Sequence, residues 1–189
     1  MKKKYVQVGL GGRARFFYEA IASTYHQTCE LVGFCDVSQT RMDYANRILV
    51  NKYGQKKVKT CMPSQFEQLL DDVRPAEVII TSVDRTHHDY IIRAMKKGYD
   101  VICEKPLTID EEKAQEIITV QKQTGRSLRV TFNYRYAPYH TKIKELIESD
   151  VIGDVFSIHF EWLLNTQHGA EISTIAAGFL FINLPIILI

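Results

Sequence analysis

No Cys-x-x-Cys pair occurs among the four cysteines, Cys29, Cys35, Cys61 and Cys103. Their spacing offers neither a disulfide framework nor a metal site, and three of them fall in apolar, strand-like runs. They read as buried free thiols in a reducing cytosol, so a cytoplasmic protein is expected. An excess of either charge is also missing. The net charge is +2, and Lys2-Lys3-Lys4 alone supplies more than that excess. These lysines read as a solvated terminus, and without a basic face a nucleic-acid partner is not expected. There is no internal repeat. The chain runs straight into an apolar strand, so no signal peptide is expected. Long uncharged runs are confined to the last 18 residues, 172–189. Gly178, Asn183 and Pro185 interrupt that run and no Lys or Arg flanks it, which leaves a membrane anchor as a minority option.

What is present is an ordinary globular composition, 46% hydrophobic and 24% charged, over 189 residues. That length can bury a real core and hold one domain or one and a half. Apolar runs at 5–9, 31–35, 58–61, 76–83 and 100–103 alternate with helical spacings over 13–25, 39–52, 63–70, 87–97 and 110–124. Ser38 can cap the second helix, while Gly54, Gly98 and Gly125 end three of them. A β-α repeat of this kind implies a doubly wound parallel sheet, with ligands at the carboxyl ends of its strands. After Gly125 the pattern changes. A strand over 128–132 and a helix through Ile143, Leu146 and Ile147 lead to a turn at 151–154. An alternating strand over 155–163 is expected next, as the start of a second, antiparallel-type sheet.

Strand, tight turn and helix meet at Gly9, Leu10, Gly11, Gly12, Arg13 and Ala14, in the pattern G-x-G-x-x-A. Such a turn lets backbone approach a pyrophosphate and points a helix N-terminus at it. Asp36 closes the second strand 22 residues beyond Ala14. A carboxylate there accepts hydrogen bonds from ribose hydroxyls and repels a 2′-phosphate, which favours NAD; Arg41 keeps NADP as the second option. Lys105, between Glu104 and Pro106 at a strand end, can polarise a hydroxyl or move its proton. His87 and His88 start a helix with no second ligand cluster nearby, so no metal is expected. Asn133 and Arg135 can reach back toward the cleft.

Together these residues resemble the Gfo/Idh/MocA family of oxidoreductases. The resemblance is carried by Val8–Ala14, Asp36, Thr86-His87, Val101–Thr108 with its Glu-Lys-Pro, Asn133-Tyr134-Arg135 with Pro138, and Ile152-Gly153-Asp154. It implies a Rossmann domain over 1–126, then the beginning of an α+β open-sheet domain over 127–168, then an aberrant apolar tail over 169–189. It also implies NAD(P)-dependent oxidation of a sugar or polyol hydroxyl, in proteins that assemble as homo-oligomers. By resemblance Lys105 is the catalytic residue beside the nicotinamide. Gly9 to Ala14 hold the pyrophosphate, Asp36 the ribose, and Ser82, Val83, His87, Glu104, Asn133 and Arg135 line the rest. Thr81-Ser82-Val83-Asp84 departs from the family's Thr-Pro or Thr-Asn pair.

Nothing from Gly169 to Ile189 matches the family's histidine-bearing motif as written. Read two bases out of frame, a permitted back-translation of 174–189 gives a glycine-rich string with three histidines that is similar to it. A frameshift between about His168 and Thr174 is therefore expected, and with it impaired dehydrogenase activity. A dinucleotide-binding fragment or regulator without chemistry is the alternative.

Overall fold

The computed structural model describes residues 1–159 and 161. They divide into two compact units, 1–133 and the chain from Tyr134 onward. The first holds β1 (Lys3–Val8), α1 (Ala14–Ala22), β2 (Cys29–Cys35), α2 (Gln39–Tyr53) and β3 (Lys59–Cys61). After a 3-10 turn at Pro63–Gln65 come α3 (Phe66–Val73), β4 (Glu77–Ile80), α4 (Asp84–Lys96), β5 (Asp100–Glu104), α5 (Glu111–Thr124) and β6 (Leu128–Thr131). All six strands form one parallel sheet in the order β3-β2-β1-β4-β5-β6. It is doubly wound, as the alternation of apolar runs and helical spacings required.

Side-chain alternation along the strands builds two cores. Val6, Val8, Cys35, Val78, Ile80, Val101 and Cys103 pack on one face against α3, α4 and α5. Phe34 packs on the other face against Tyr18 of α1 and Met42, Ala45 and Leu49 of α2. β4 is buried along its whole length, as expected of a central parallel strand. Caps set the helix ends. The Ser38 hydroxyl accepts from the Arg41 amide, the Asp110 carboxylate accepts from the Lys113 amide at 2.8 Å, and Gly54 and Gly125 close α2 and α5 in the left-handed region.

Three boundaries differ from expectation. The strand expected over 128–132 as the opening of a second domain forms over Leu128–Thr131 and is the edge strand of the first sheet, pairing Val101 with Leu128 through Glu104 with Thr131. A parallel neighbour was available across α5, and burial against β5 outweighs the change in local sequence character. Helix α4 begins at Asp84, not His87, because the Thr86 amide and hydroxyl both donate to the Val83 carbonyl and start the turn early. The strand expected over 155–163 is not formed where it is described. Residues 155–159 are irregular and exposed, Phe156 at 94%. Alternation alone does not hold a strand, and no described strand pairs with these residues. Residues 160, 162 and 163 of that stretch, and the apolar tail with its frameshift and anchor readings, lie outside the described residues. No described helix is long and apolar enough to cross a membrane. The second unit contains α6 (Pro138–Glu148), with Ile143, Leu146 and Ile147 exposed.

Candidate dinucleotide-binding site

Because the strands are parallel, all six carboxyl ends share one edge of the sheet. Chain order runs outward to one side from β1 to β3 and to the other from β4 to β6. A crevice opens at such a reversal, here between β1 and β4. Gly9 sits in it with φ +80°, and a Cβ there would lie 2.4 Å from the Ser82 Cα. The loops after β1 and β4 thus meet backbone to backbone. Thr81 joins them, its amide donating to the Val8 carbonyl at 2.8 Å and its hydroxyl to the Gly9 carbonyl at 2.7 Å. From below, fully buried Gln7 donates through Nε2 to the Ala14 carbonyl (3.0 Å) and to Thr81 Oγ1 (3.1 Å). Strand, loop and the start of α1 are held by one polar side chain.

The loop itself is open on its outer side. A Cβ added at Gly11 or Gly12 would meet no atom within 4 Å. Among the described residues, the amides of Gly11, Gly12 and Arg13 donate to no acceptor. Helix α1 has no side-chain cap and no acidic residue in its first turn. Bare N–H groups at a helix N-terminus, facing free space, fit a pyrophosphate.

Asp36 is buried, at 4% exposure, just after β2. Its Oδ2 accepts the Leu10 amide at 2.5 Å and its Oδ1 the Ser38 amide at 2.8 Å. Each oxygen keeps a lone pair for a further donor. The same carboxylate therefore shapes the glycine loop and can face a ribose. The Arg41 guanidinium approaches Oδ1 at 4.0 Å.

On the other side of the crevice, the Ser82 hydroxyl lies 2.8 Å from Thr86 Oγ1, and Val83 is half-exposed in extended backbone before α4. His87 is buried behind this wall. Its Nε2 lies 3.0 Å from the Ser82 carbonyl and its Nδ1 2.8 Å from the Pro106 carbonyl, so it braces the loop after β4 against the loop after β5. Glu104 is also buried. Its Oε1 accepts from Arg13 Nε (2.9 Å) and Thr131 Oγ1 (2.9 Å), and its Oε2 from the Lys105 amide (3.2 Å). Lys105 is exposed, ahead of a cis Lys105–Pro106 peptide, and its ammonium has no partner among the described residues. Neighbouring Cys103 is no nucleophile, since burial pushes its thiol up to about 12.

The structure thus brings Gly9 to Ala14, Asp36, Ser82, Val83, Glu104 and Lys105 to one edge, with His87 beneath. Asn133 is exposed at the end of the first unit, and Arg135 belongs to the second unit. Two positioning residues, Gln7 and Thr131, were not anticipated. Gln7 did leave a signal, as the one polar residue within the apolar run Val6-Gln7-Val8.

The profile of the Gfo/Idh/MocA oxidoreductases, described as an oxidoreductase family with an NAD-binding Rossmann fold, matches residues 3–132. The chain belongs to this family. Over 166 residues it is 31% identical to glucose-6-phosphate 3-dehydrogenase of Bacillus subtilis, covering 84% of this chain and 42% of that protein. It is 27% identical over 158 residues to D-glucoside 3-dehydrogenase of Escherichia coli, covering 82% and 43%. In fold it is similar to scyllo-inositol dehydrogenase from Lactobacillus casei, solved with NAD(H) and scyllo-inositol. There the TM-score is 0.77 at 21% identity, over 96% of this chain and 51% of that one. The chain spans less than half the length of the curated relatives named here.

Proposed function

We propose that this chain forms the dinucleotide half of an NAD-dependent dehydrogenase acting on a sugar or polyol hydroxyl, with Lys105 at the reacting end of the cleft. The observation that carries the reading is the open row of amides at Gly11, Gly12 and Arg13, unpartnered among the described residues. Asp36 flanks it on the β2 side and Glu104-Lys105 on the β5 side. The N–H groups and the helix N-terminus would take the pyrophosphate. The Asp36 carboxylate would take the adenosine ribose, and its charge disfavours the 2′-phosphate of NADP. The second half of the dinucleotide would then extend past β4 toward β5, where the Lys105 ammonium has no partner among the described residues. Bound nicotinamide supplies the hydride acceptor in such a reaction. Lys105 Nζ would hold the reacting oxygen by a hydrogen bond and take up the hydroxyl proton on its lone pair as the carbonyl forms, passing it on to the solvent that this exposed side chain meets. Names of relatives support a ring hydroxyl of a sugar or cyclitol as the substrate class. Free thiols at all four cysteines support a reducing compartment such as the cytoplasm.

Isothermal titration of the purified chain with NAD+ and NADP+ tests the binding reading. NAD+ is expected to bind, and more tightly than NADP+. Gly11→Val is the decisive variant. The protein leaves room for its side chain, so the fold should persist by circular dichroism while NAD+ affinity falls by about tenfold or more. A folded wild-type chain that binds no dinucleotide, or a Gly11→Val variant that binds NAD+ unchanged, overturns the reading.

A further inference from the structure

We infer that Arg13 is a positioning residue which, through the Glu104 carboxylate, sets the place of Lys105 and so serves the nicotinamide half of the cleft. The inference rests on the dinucleotide reading above and assigns a role that reading does not require.

Arg13 stands where a cation is poorly placed. It is the residue before α1, next to the positive end of the helix dipole, with Arg15 two residues on and no acid in the first turn. A residue serving only the helix would be Ser, Thr, Asp or Asn. Arg13 instead lies over Phe16, its guanidinium carbon 4.7 Å from the ring centroid, and reaches across the end of β4 to Glu104 on β5. The partners are 91 residues apart in sequence. Glu104 has 6% of its side chain exposed and Arg13 38%. A carboxylate buried to that degree needs a partner, and Arg13 is the only cationic group hydrogen-bonded to it among the described residues.

The carboxylate is also a junction. One oxygen gathers Arg13 from the glycine loop and Thr131 from the end of β6, and the other receives the Lys105 amide. The orientation of Glu104 therefore fixes the direction in which the chain leaves β5, and with it where the Lys105 side chain starts. Loss of Arg13 would leave the buried charge with one hydroxyl and one amide, neither able to neutralise it. The carboxylate would then turn toward water, and the Lys105 amide would lose its acceptor.

The two halves of the dinucleotide provide the readout. Asp36 and the glycine loop lie on the adenosine and pyrophosphate side, and Glu104-Lys105 on the other side of the β1/β4 reversal. ADP-ribose carries everything except the nicotinamide. A latch that positions Lys105 should therefore affect NAD+ more than ADP-ribose, whereas simple contact between Arg13 and the phosphates affects both alike.

Titration of wild type, Arg13→Leu, Glu104→Gln and the double variant with NAD+ and ADP-ribose tests this. Each single variant should weaken NAD+ by about tenfold more than it weakens ADP-ribose, and the double variant should be no worse than either single one, as for groups that act as a unit. Arg13→Lys should restore part of the difference. Equal losses for both ligands, or losses that multiply in the double variant, overturn the latch. If Glu104→Gln does not fold, Thr131→Val removes another hydrogen bond from the same carboxylate oxygen. It should shift the NAD+ to ADP-ribose ratio in the same direction by a smaller factor, and an unchanged ratio counts against the latch. Failure of the wild type to bind either ligand would sink the dinucleotide reading itself, a result distinct from wild-type binding of both with no differential in the variants.

Discussion

Glu19 shows how much one side chain on the rim of the fold can gather. Its carboxylate accepts from Arg15 (2.7 Å), from Lys52 (2.7 Å) and from the Tyr53 hydroxyl (2.6 Å), tying α1 to the end of α2. The Lys52 and Tyr53 hydrogen bonds hold its pKa down, from the ordinary 4.5 to about 2. A carboxylate depressed in the folded state adds stability that is complete above its unfolded pKa and is lost as the pH falls toward its folded one. For Glu19 the window runs from about 4.5 down to about 2. Urea unfolding of wild type and Glu19→Gln should therefore show a stability gap near neutral pH that narrows steadily below about pH 4.5. A gap that stays constant down to acid pH would contradict this assignment. Sequence reasoning reached the site residues with a local signature: Asp36 and Lys105 end apolar strands, and the glycines punctuate a turn. It did not reach Arg13 with Glu104 or Gln7 with Thr81, because those pairs are 91 and 74 residues apart. Chemistry made by distant partners leaves no mark on either neighbourhood.

Elements were most legible where their ends carry their own chemistry. Ser38 and Asp110 cap α2 and α5 from side chains, and the glycines after them close both helices, as spacing required. Asp110 also pairs with Lys113 at 2.6 Å, and both the side-chain and amide bonds of Lys113 hold its carboxyl below the usual range. Asp110→Ala removes that cap and should lower the melting temperature by a few degrees without altering dinucleotide affinity. A much larger fall in melting temperature would mean that Asp110 does more than cap the helix. Where an element's start depends on backbone geometry alone, the sequence misleads. Helix α4 begins three residues before His87 because of bonds within 82–86 that composition does not announce. Strands depend wholly on partners. The alternation at 155–159 is good strand grammar, yet those residues are irregular.

At the scale of the molecule, the sixth strand matters most. With β6 in place, the first unit ends at Asn133 and contains both cores, every described strand and the described partners of Glu104. A chain ending at Asn133 should therefore unfold in one cooperative transition and bind NAD+ within about twofold of the longer chain. A chain ending at 126 lacks β6 and the Thr131 bond, and it should be markedly less stable. If the shorter piece proves as stable as the longer, the sheet does not need its sixth strand. Apolar residues such as Tyr139, Ile143, Phe156 and Ile158 are exposed in the second unit.

The order of strands and helices, the glycine turn, the acidic residue after β2 and the lysine after β5 were all written in local pattern. Hydrophobic period, turn chemistry and caps act over a few residues and can be read there. Three features needed the folded chain. Residues 128–131 join the first sheet because a neighbouring strand offers them hydrogen bonds and burial. Gln7 and His87 act as braces because the fold buries them beside distant carbonyls and a distant hydroxyl. Arg13 meets Glu104 because the sheet places the ends of β1 and β5 on either side of β4. In each case the energy comes from a partner far away in sequence, and only the closed sheet brings the two together.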